Sequence, residues 1–340
     1  MTSYIIRRLL LVIPTVFFAL SFLFALFYVL PGDPATLIAG GADRNPNAIQ
    51  VEQINEKYGL NDPLPTQFVN YWKATLQWDL GESFQTGRSV NEILGQRAKN
   101  SFRLAFWALI IEIVVGLSVG IYSAIRRYSL ADKLTTVGTA AMSAIPVFVL
   151  GYILQYAFAV YPNKHDWPEW TRLRTSQIGP PGSGDGDWFL FVIPMGEQWR
   201  YLILPAVTLA AVSTALTARM MRGSMLEVHR ADFMRTARAK GLGERQIVLR
   251  HGLRNAMLPV ITLLALDFGA MIGAAVLTET VFSWPGLGST IASSVLDRDL
   301  PVLLGLTLVV VLLYSILNLL VDVSYAWFDP RVRLGEGKDK

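Results

Sequence analysis

Six long runs of apolar residues constrain this 340-residue chain more than any other feature of its sequence. A helix rises about 1.5 Å per residue, so crossing a hydrocarbon core of about 30 Å takes about 20 apolar residues. The runs contain only two charged residues, Glu112 and Asp267. The predicted spans are residues 9–30, 104–125, 134–161, 201–218, 258–277 and 302–321. We therefore predict an all-α integral membrane protein with six transmembrane helices.

Composition supports this class and excludes several kinds of site. Only 16% of the residues are charged, whereas soluble chains carry about 25%. The sequence has no cysteine, which excludes disulfides, iron–sulfur clusters and thiolate zinc sites. Its histidines, His165, His229 and His251, are too scattered for a metal site, and each is predicted to be a solvated or interfacial residue. We predict no bound metal and no cofactor in this chain.

The distribution of lysine and arginine predicts the orientation of the spans. Cytoplasmic segments next to spans carry an excess of these residues. If the N-terminus is cytoplasmic, the inner segments hold 18 of the 30 Lys and Arg residues, although the outer segments are longer. Those inner segments are 1–8, 126–133, 219–257 and 322–340. Both termini are therefore predicted to be cytoplasmic.

The outer segment 31–103 is predicted to fold as a small extracytoplasmic helical cap. Asn45-Pro46 is typical of a helix start, and a second helical pattern over 65–78 places Phe68, Tyr71, Trp72 and Leu76 on one side. Residues 89–92, Ser-Val-Asn-Glu, match a capping box.

The remaining segments complete the predicted organisation. The loop 162–200 is variable, with a turn-rich piece at 180–187, and its tryptophans are predicted to lie at the lipid headgroups. Those tryptophans are Trp167, Trp170, Trp188 and Trp199. The domains are 1–30 with the first span, 31–103 the cap, 104–161 with two spans, 162–200 the variable loop, 201–325 the transmembrane core with a cytoplasmic coupling loop at 222–257, and 326–340 a cytoplasmic tail.

The densest cluster of cations lies between two predicted spans, in RTARAKGLGERQIVLRHGLRNAMLP at residues 235–259. The pattern predicts a helix that starts near Ala231 and ends at Gly241, because glycine readily adopts the left-handed conformation that closes a helix. Glu244 is predicted to open a second short helix, and Pro259 to start the next span. The segment is therefore predicted to be two short helices joined by a forced turn.

Three functions are compatible with such a segment. A loop that touches anionic lipid needs only the positive charge. A helix-turn-helix that reads DNA has the same charge and turn, but this segment is short and tethered to two spans. A docking element for a cytoplasmic subunit uses small residues to let one helix lie in a groove, and a rigid turn to pass motion to the spans. The small residues and the turn favour docking.

The segment resembles the cytoplasmic loop of ABC importer permeases, whose signature reads E-A-A-x-x-x-G, nine residues, then I-x-L-P. Gly241 matches the signature glycine, and Ala237 matches its second alanine. The sequence departs from the signature at Arg235 and at 251–254. With these departures from the signature, the segment is similar to the form found in the dipeptide/oligopeptide (peptide/nickel) permease family.

Further motifs extend the resemblance over nearly the whole chain, with the exception of 162–199. Each fragment is weak alone, and their order and spacing give the specificity. They are RRLLLVIPT (7–15), LPGDPA (30–35), KYGLNDPL (57–64), WDLGES (78–83), SAIPVF (143–148), ARMMRGSMLEV (218–228), TETVFSWPGLG (278–288), DRDLPV (297–302) and LVDVSYAWFDPRVR (320–333).

The resemblance implies the type I ABC importer permease fold, in a non-catalytic, multi-pass subunit of the bacterial inner (plasma) membrane. The sequence contains no G-x-x-x-x-G-K-[ST] phosphate loop, so ATP and Mg²⁺ would be used by partner subunits. The implied partners are a second homologous permease in a heterodimer, two cytoplasmic ATPase subunits and an extracytoplasmic substrate-binding protein, in a lipid bilayer and without nucleic acid.

The resemblance also implies a function for the cationic segment. The permease would form half of a translocation pathway for di- and oligopeptides and would couple to the ATPases through the loop 231–258. Helix 231–240 would be the coupling helix, seated in a cleft of one ATPase. The implied coupling residues are Ala231, Asp232, Phe233, Arg235, Thr236, Ala237, Arg238, Ala239, Lys240, Gly241, Leu242 and Gly243.

Two further groups of residues are candidates for function. An aromatic run that ends in Pro-Gly cannot remain helical, so Phe282, Trp284, Pro285 and Gly286 are predicted to form an outer gate or a binding-protein contact. Interfacial anchoring by Phe282 and Trp284 is the alternative.

Polar residues inside spans are costly and usually face a cavity or the bundle interior. Glu112 and Asp267 are predicted to pair with a neighbouring helix or with the partner permease, with substrate contact as the alternative. Asn318 and Gln155 are predicted to bond across helices, and Pro146 to kink its span.

The cargo is not determined by any residue of the chain. Peptide is the default because the motifs belong to the peptide branch, and nickel complexes, glutathione and haem are alternatives within the same importer class. An ion-gradient-driven secondary transporter and a membrane-anchored transcriptional regulator are the alternatives from other classes.

Overall fold

The computed structural model describes residues 2–29, 35–36, 48–174, 188–190 and 192–328. Predictions for the Asn45-Pro46 helix start, the turn-rich piece 180–187 and the tail after residue 328 lie outside these ranges. The helices are α1 (Thr2–Val29), α2 (Ala48–Tyr58), α3 (Leu64–Leu76), α4 (Val90–Ile125), α5 (Leu130–Ala144), α6 (Val147–Lys164), α7 (Gln198–His229), α8 (Asp232–Ala239), α9 (Glu244–Val281), α10 (Leu287–Leu296) and α11 (Leu300–Phe328).

Short irregular elements interrupt or link these helices. Single π-helical turns lie within α4 (Glu112–Gly116), α6 (Tyr156–Val160) and α9 (Ile247–Gly252). Between α6 and α7 come a 3₁₀ turn (Glu169–Thr171) and an antiparallel pair of strands, β1 (Trp188–Phe189) and β2 (Ile193–Pro194).

Four helices of the described residues are long and apolar enough to cross a membrane: α4, α7, α9 and the Leu300–Leu319 part of α11. α5 and α6 are bent by 105° at the short break between them. Together they are long and apolar enough to cross a membrane, so they count as a fifth span if the bent pair crosses as one. The bend at Pro146 is far sharper than the predicted kink. The all-helical membrane architecture is thus confirmed, while the six-span count and the cytoplasmic location of the termini stay predictions.

Several helices extend beyond the predicted spans. α4 begins at Val90 and α7 continues to His229, because polar residues outside the hydrocarbon core continue the helical hydrogen bonding. The capping box at the start of α4 is not formed. Glu92 accepts a hydrogen bond from Arg88 Nη2 (2.6 Å) and does not return to the backbone of Ser89.

The chain divides into two compact units, of which the first contains residues 101–284 and 316–340. α7 lies at its centre. In the most apolar 18-residue stretch of each helix, 67% of the residues of α7 are buried, against 33% for α4 and for α9. One apolar core joins Leu104 and Ala108 of α4, Ala206 and Ala210 of α7, and Ala275 of α9.

The close approach of α4 to α7 depends on two glycines one turn apart, Gly116 and Gly120. A Cβ added to Gly120 would lie 2.6 Å from the carbonyl oxygen of Ala218 and 2.7 Å from Cβ of Met221. At Gly116 the nearest atom would be Cγ2 of Thr217, at 3.0 Å. Such small-xxx-small pairs let helix backbones pack closely in membranes. This pair was not predicted from the sequence.

The second unit contains residues 2–100 and 285–315. α3 packs its aromatic side along α1, with Trp72 stacked on Phe17 at a centroid distance of 5.2 Å and Tyr71 on Phe24 at 5.8 Å. Phe17 is in the middle of the predicted span 9–30. Its contact with Trp72 of α3 was not predicted from the sequence. Leu76, predicted on the same side as these rings, is exposed.

We expect Gly120→Ala to destabilise the protein, because overpacking a close helix contact costs about 1–3 kcal/mol. Gly138→Ala on α5 is the matched control, since a Cβ there meets no atom within 4 Å. Thermal unfolding of both variants in one detergent compares them. Equal melting temperatures for Gly120→Ala and Gly138→Ala would contradict the tight α4–α7 contact.

Candidate functional site

One face of α8 packs against the start of α9. The helix follows Ala231, whose backbone is extended (φ −69°, ψ 148°). Met234 and Ala237 are buried and pack against Ile247 in the first turns of α9. The small size of Ala237 therefore serves packing within the segment, whereas Ala239 is exposed.

The opposite face of α8 is accessible and combines small residues, charges and one ring. Phe233 is 43% exposed, although its neighbour Met234 is fully buried. A short helix that presents an aromatic side chain between small and charged residues is suited to lie in a groove of a partner. The exposed residues are Asp232, Phe233, Arg235, Thr236, Ala239 and Lys240.

The turn after α8 is a Schellman motif closed by Gly241, as predicted. Gly241 has φ +77°, its N–H donates to the carbonyl of Arg238 (2.9 Å), and the N–H of Leu242 donates to the carbonyl of Ala237 (3.4 Å). Leu242 also packs against the Met234 cluster. The direction of the chain is therefore set by backbone hydrogen bonds and an apolar contact together.

The second glycine of the turn has a different role. Gly243 has φ −68° and ψ 143°, a conformation that any residue adopts, and it is the N-cap of α9. Its side-chain position is free, because a Cβ there would meet no atom within 4 Å. Of the two glycines, only Gly241 is required by backbone geometry.

Arg238 joins α8 to the ends of α7 and α9. Its Nε donates to Glu244 Oε1 at the start of α9 (2.8 Å), and its Nη2 donates to Nε2 of His229 at the end of α7 (2.8 Å). His229, predicted to be solvated or interfacial, is thus half-buried in an interaction with Arg238. Because one guanidinium bonds to both neighbours, the three helix ends form one connected unit.

α9 continues without a break from the turn into the membrane. The prediction of a second short helix that ends before Pro259 is wrong, because the helix runs from Glu244 to Val281 and Pro259 lies inside it. A π turn over Ile247–Gly252 precedes the proline and keeps the chain helical. Any displacement of the turn therefore acts on a single 38-residue helix.

A partly buried ion pair, missed from the sequence, connects α7 to the first turn of α5. Arg222 donates through Nε (2.6 Å) and Nη2 (2.9 Å) to the two carboxylate oxygens of Asp132. Asp132 also accepts from Oγ of Ser123 (2.5 Å) and from the N–H of Tyr128 (2.9 Å). The only sequence signal was an acidic residue three positions after a serine N-cap, Ser129.

A cavity of about 610 Å³ lies beside the turn, between the ends of α7 and α9. Its lining is largely apolar, with Met225 and Leu226 on α7 and Val248 and Leu249 on α9. Two arginines, Arg127 and Arg245, also line it. The helix ends therefore have room to approach each other at this place.

The predicted intramembrane polar residues differ in their surroundings. Glu112 is fully buried and accepts a hydrogen bond from Oγ1 of Thr217 on α7 (2.5 Å), and Asp267 faces it from α9. Gln155 bonds across helices as predicted, its Nε2 donating to the carbonyl of Val281 (2.8 Å). Asn318 is half-buried, and within the described residues its side chain has no hydrogen-bond partner.

The predicted outer gate is not helical, as expected. Ser283 has φ +48°, and Phe282 and Trp284 beside it are fully buried. Interfacial anchoring requires exposed rings, so burial argues against that alternative. In the second unit, the carbonyl of Pro285 accepts a hydrogen bond from Nδ2 of Asn100 (2.9 Å), and Gly286 precedes α10. A role of these residues as a gate or binding-protein contact stays a prediction.

Polar groups that the sequence analysis missed are buried near the same end of α9. Glu279 is fully buried and accepts a hydrogen bond from Oγ of Ser101 (2.5 Å). The guanidinium of Arg103 stacks over the ring of Trp188 at 4.3 Å from its centroid, and Trp188 is buried rather than at the lipid headgroups. Trp167 and Trp199 are exposed. Across the described ranges, no three His, Cys, Asp or Glu side chains are placed to hold a metal ion.

We expect Gly241→Val to destabilise the segment by about 1–2 kcal/mol, because the left-handed conformation is unfavourable for a residue with a Cβ. Gly241→Asn should cost less, since asparagine tolerates this conformation. Gly243→Val is the matched control and should be close to neutral. Limited proteolysis of the segment and thermal unfolding measure the effect. If Gly243→Val is as damaging as Gly241→Val, the special role of the Gly241 turn is refuted.

Comparison with known proteins places the chain in a family. Residues 116–334 match the binding-protein-dependent transport system inner membrane component family, and residues 1–112 match the N-terminal domain of such membrane components. Together the two matches cover nearly the whole chain.

Individual relatives agree with this match. A probable peptide ABC transporter permease from Sinorhizobium fredii is 38% identical over 335 residues, covering 98% of this chain and 100% of the relative. Glutathione transport system permeases from Pectobacterium atrosepticum and Escherichia coli K12 are each 36% identical over 333 residues, covering 98% of this chain and 99% of the relative.

The fold is also that of a solved transporter. The structure of the MetNI methionine ABC transporter in inward-facing conformations matches with a TM-score of 0.52 at 14% identity, over 70% of this chain and 96% of the matched chain. Family, relatives and fold agree with the resemblance read from the motifs. The chain belongs to the binding-protein-dependent transport system inner membrane components, in the peptide/nickel family of ABC importer permeases.

Proposed function

We propose that this permease forms half of the translocation pathway of an ATP-driven importer for di- and oligopeptides and couples to an ATPase through α8. The observation that carries the proposal is the two-sided environment of α8. Met234 and Ala237 fix one face to the chain, and Phe233, Thr236 and Lys240 on the other face remain accessible. The relative named a peptide permease supports the cargo class.

The assembly proposed around this chain follows from its family. A second homologous permease completes the pathway, two cytoplasmic ATPase subunits hydrolyse ATP with Mg²⁺, and an extracytoplasmic binding protein delivers the substrate. The charge distribution supports cytoplasmic termini and a cytoplasmic 231–258 loop, because the inner segments hold most of the Lys and Arg residues. This chain then performs no catalysis itself.

The contacts of α8 define a path for force. When the ATPases close, a push on the exposed face of α8 acts on the Schellman turn and, through Arg238, on the ends of α7 and α9. α9 is continuous from Glu244 to Val281, so the displacement reaches the far side of the membrane along one helix. The cavity of about 610 Å³ between the ends of α7 and α9 gives them space to move.

We expect Phe233→Ala to weaken binding of the ATPase subunits about tenfold, because losing an aromatic anchor at an interface typically costs more than about 1 kcal/mol. The measurement is the affinity of purified ATPase for the permease pair in nanodiscs, together with substrate-stimulated ATP hydrolysis. Insertion and thermal stability should be unchanged, since Phe233 packs in no described core cluster.

Phe189→Ala is the matched control for this experiment. Phe189 is another exposed phenylalanine, on β1 in the predicted extracytoplasmic loop, and it is 56% exposed. Its replacement should leave ATPase binding unchanged. Full ATPase affinity and normal uptake in Phe233→Ala would contradict docking through α8.

Glutathione is a second candidate cargo, because several relatives of high coverage are glutathione permeases. The cargo bound by the cognate binding protein, identified by mass spectrometry after release, distinguishes it from a peptide. Recovery of oligopeptides supports the first proposal, and recovery of glutathione alone supports the second.

A further inference from the structure

Two carboxyl groups meet inside the first unit, and among the described residues neither has a basic partner. Glu112 lies in the π turn of α4 and is 0% exposed. Asp267 faces it from α9 within hydrogen-bonding reach. Both residues lie in helices that are long and apolar enough to cross a membrane.

The hydrogen bonding of this pair is incomplete in a specific way. Oε1 of Glu112 accepts from Thr217 on α7, and Ser213 of the same helix faces Asp267. Oε2 of Glu112 and Oδ2 of Asp267 are buried, and no donor among the described residues reaches either oxygen. Within the described residues, the side chains that interact with the pair from α7 are Thr217 and Ser213, and neither is basic.

Elementary electrostatics limits the charge that this pair can hold. Two ionised carboxylates in contact repel each other, and burial in an apolar medium raises the energy of each charge. Buried polar oxygens are nearly always hydrogen-bonded, so two interacting carboxyl groups that each keep a buried oxygen without a donor indicate a hydrogen shared between them. One proton removes one charge and supplies the missing donor at the same time.

We propose that Glu112 and Asp267 together bind one proton, as a carboxylic acid of one residue that donates to the carboxylate of the other. The bond joins the π turn of α4 to α9, the helix that starts at the coupling turn. The pair is thus a proton-bound connection across α7 that holds the proposed lever helix to its neighbour. This inference is independent of the cargo and of docking to an ATPase.

A metal cation is the alternative occupant of two facing carboxylates. A cation needs several oxygen ligands around it, and in the described part of the chain no third acidic or histidine side chain joins this pair.

Infrared spectroscopy of the purified transporter complex tests the proposal. The wild type should show the C=O stretch of one protonated carboxyl group per permease chain, and Glu112→Gln should lose that band. The amide introduced by this substitution can donate to Asp267 in place of the acid, so the melting temperature should be kept. Glu112→Ala, which offers no donor, should lower it. Asp267→Asn provides a second variant with the same expected loss of the band.

Asp132→Asn is the matched control, because Asp132 is a buried carboxylate paired with Arg222. This variant should lose only ionised-carboxylate bands. If Glu112→Gln and Asp267→Asn also lose only ionised-carboxylate bands, the shared proton is refuted. A wild-type melting temperature that rises with Na⁺, K⁺ or Mg²⁺, and no longer does so in Glu112→Gln, would assign the site to a cation instead.

Discussion

Close packing of small residues against α7 is the constraint on which the rest of the first unit depends. In a bilayer the hydrophobic effect does not drive helices together, so their association relies on close van der Waals contact and on a few polar bonds. Gly116 and Gly120 let α4 reach the backbone of α7, and Gly151 of α6 lies where a Cβ would be 3.1 Å from Val281 and 3.4 Å from Thr208. α7 is consequently the most buried of the long apolar helices.

Polar interactions then hold together the helices that the small residues allow to pack closely on α7. The Arg222–Asp132 pair joins α7 to the first turn of α5, and Thr217 on α7 donates a hydrogen bond to Glu112 of α4. Arg238 bonds the far end of α7 to both α8 and α9. Each of these bonds uses a side chain of α7 or reaches its end. A force applied at α8 therefore acts on α7, which is bonded to its neighbouring helices at several positions along its length.

Sequence reasoning was most successful where one physical rule decides the outcome. The length of the apolar runs predicted membrane helices, and the left-handed preference of glycine predicted the turn at Gly241. The motifs predicted the family, which the comparisons confirm. The cross-helix bond of Gln155 was also predicted, because a polar group in a span usually bonds to a neighbouring helix, whereas the same prediction for Asn318 is not met among the described residues.

Features that depend on contacts between distant segments were not predictable in this way. Pro146 indicated a kink, whereas the helices on its two sides are bent by 105° and both pack on α7, a geometry that no local pattern in the sequence indicates. Pro259 looked like a helix start because proline is typical of a first helical turn, and no local pattern shows that the helix from Glu244 continues through it. The Asp132–Arg222 pair joins residues 90 positions apart, and no local pattern indicates such a pair. The burial of Trp188 likewise depends on Arg103.

The central claim is that α8, the Gly241 turn and α9 move as one rigid lever. The sequence contains no cysteine, so spin labels can be placed at two introduced cysteines, at Ala239 on α8 and Leu266 on α9, both exposed and outside the docking residues Phe233, Thr236 and Lys240. The distance between these labels, measured by pulsed electron paramagnetic resonance in the complete transporter with and without trapped ATP, tests the claim directly. A rigid lever predicts the same narrow distance distribution in both states. A shifted or broadened distribution on ATP binding would contradict it.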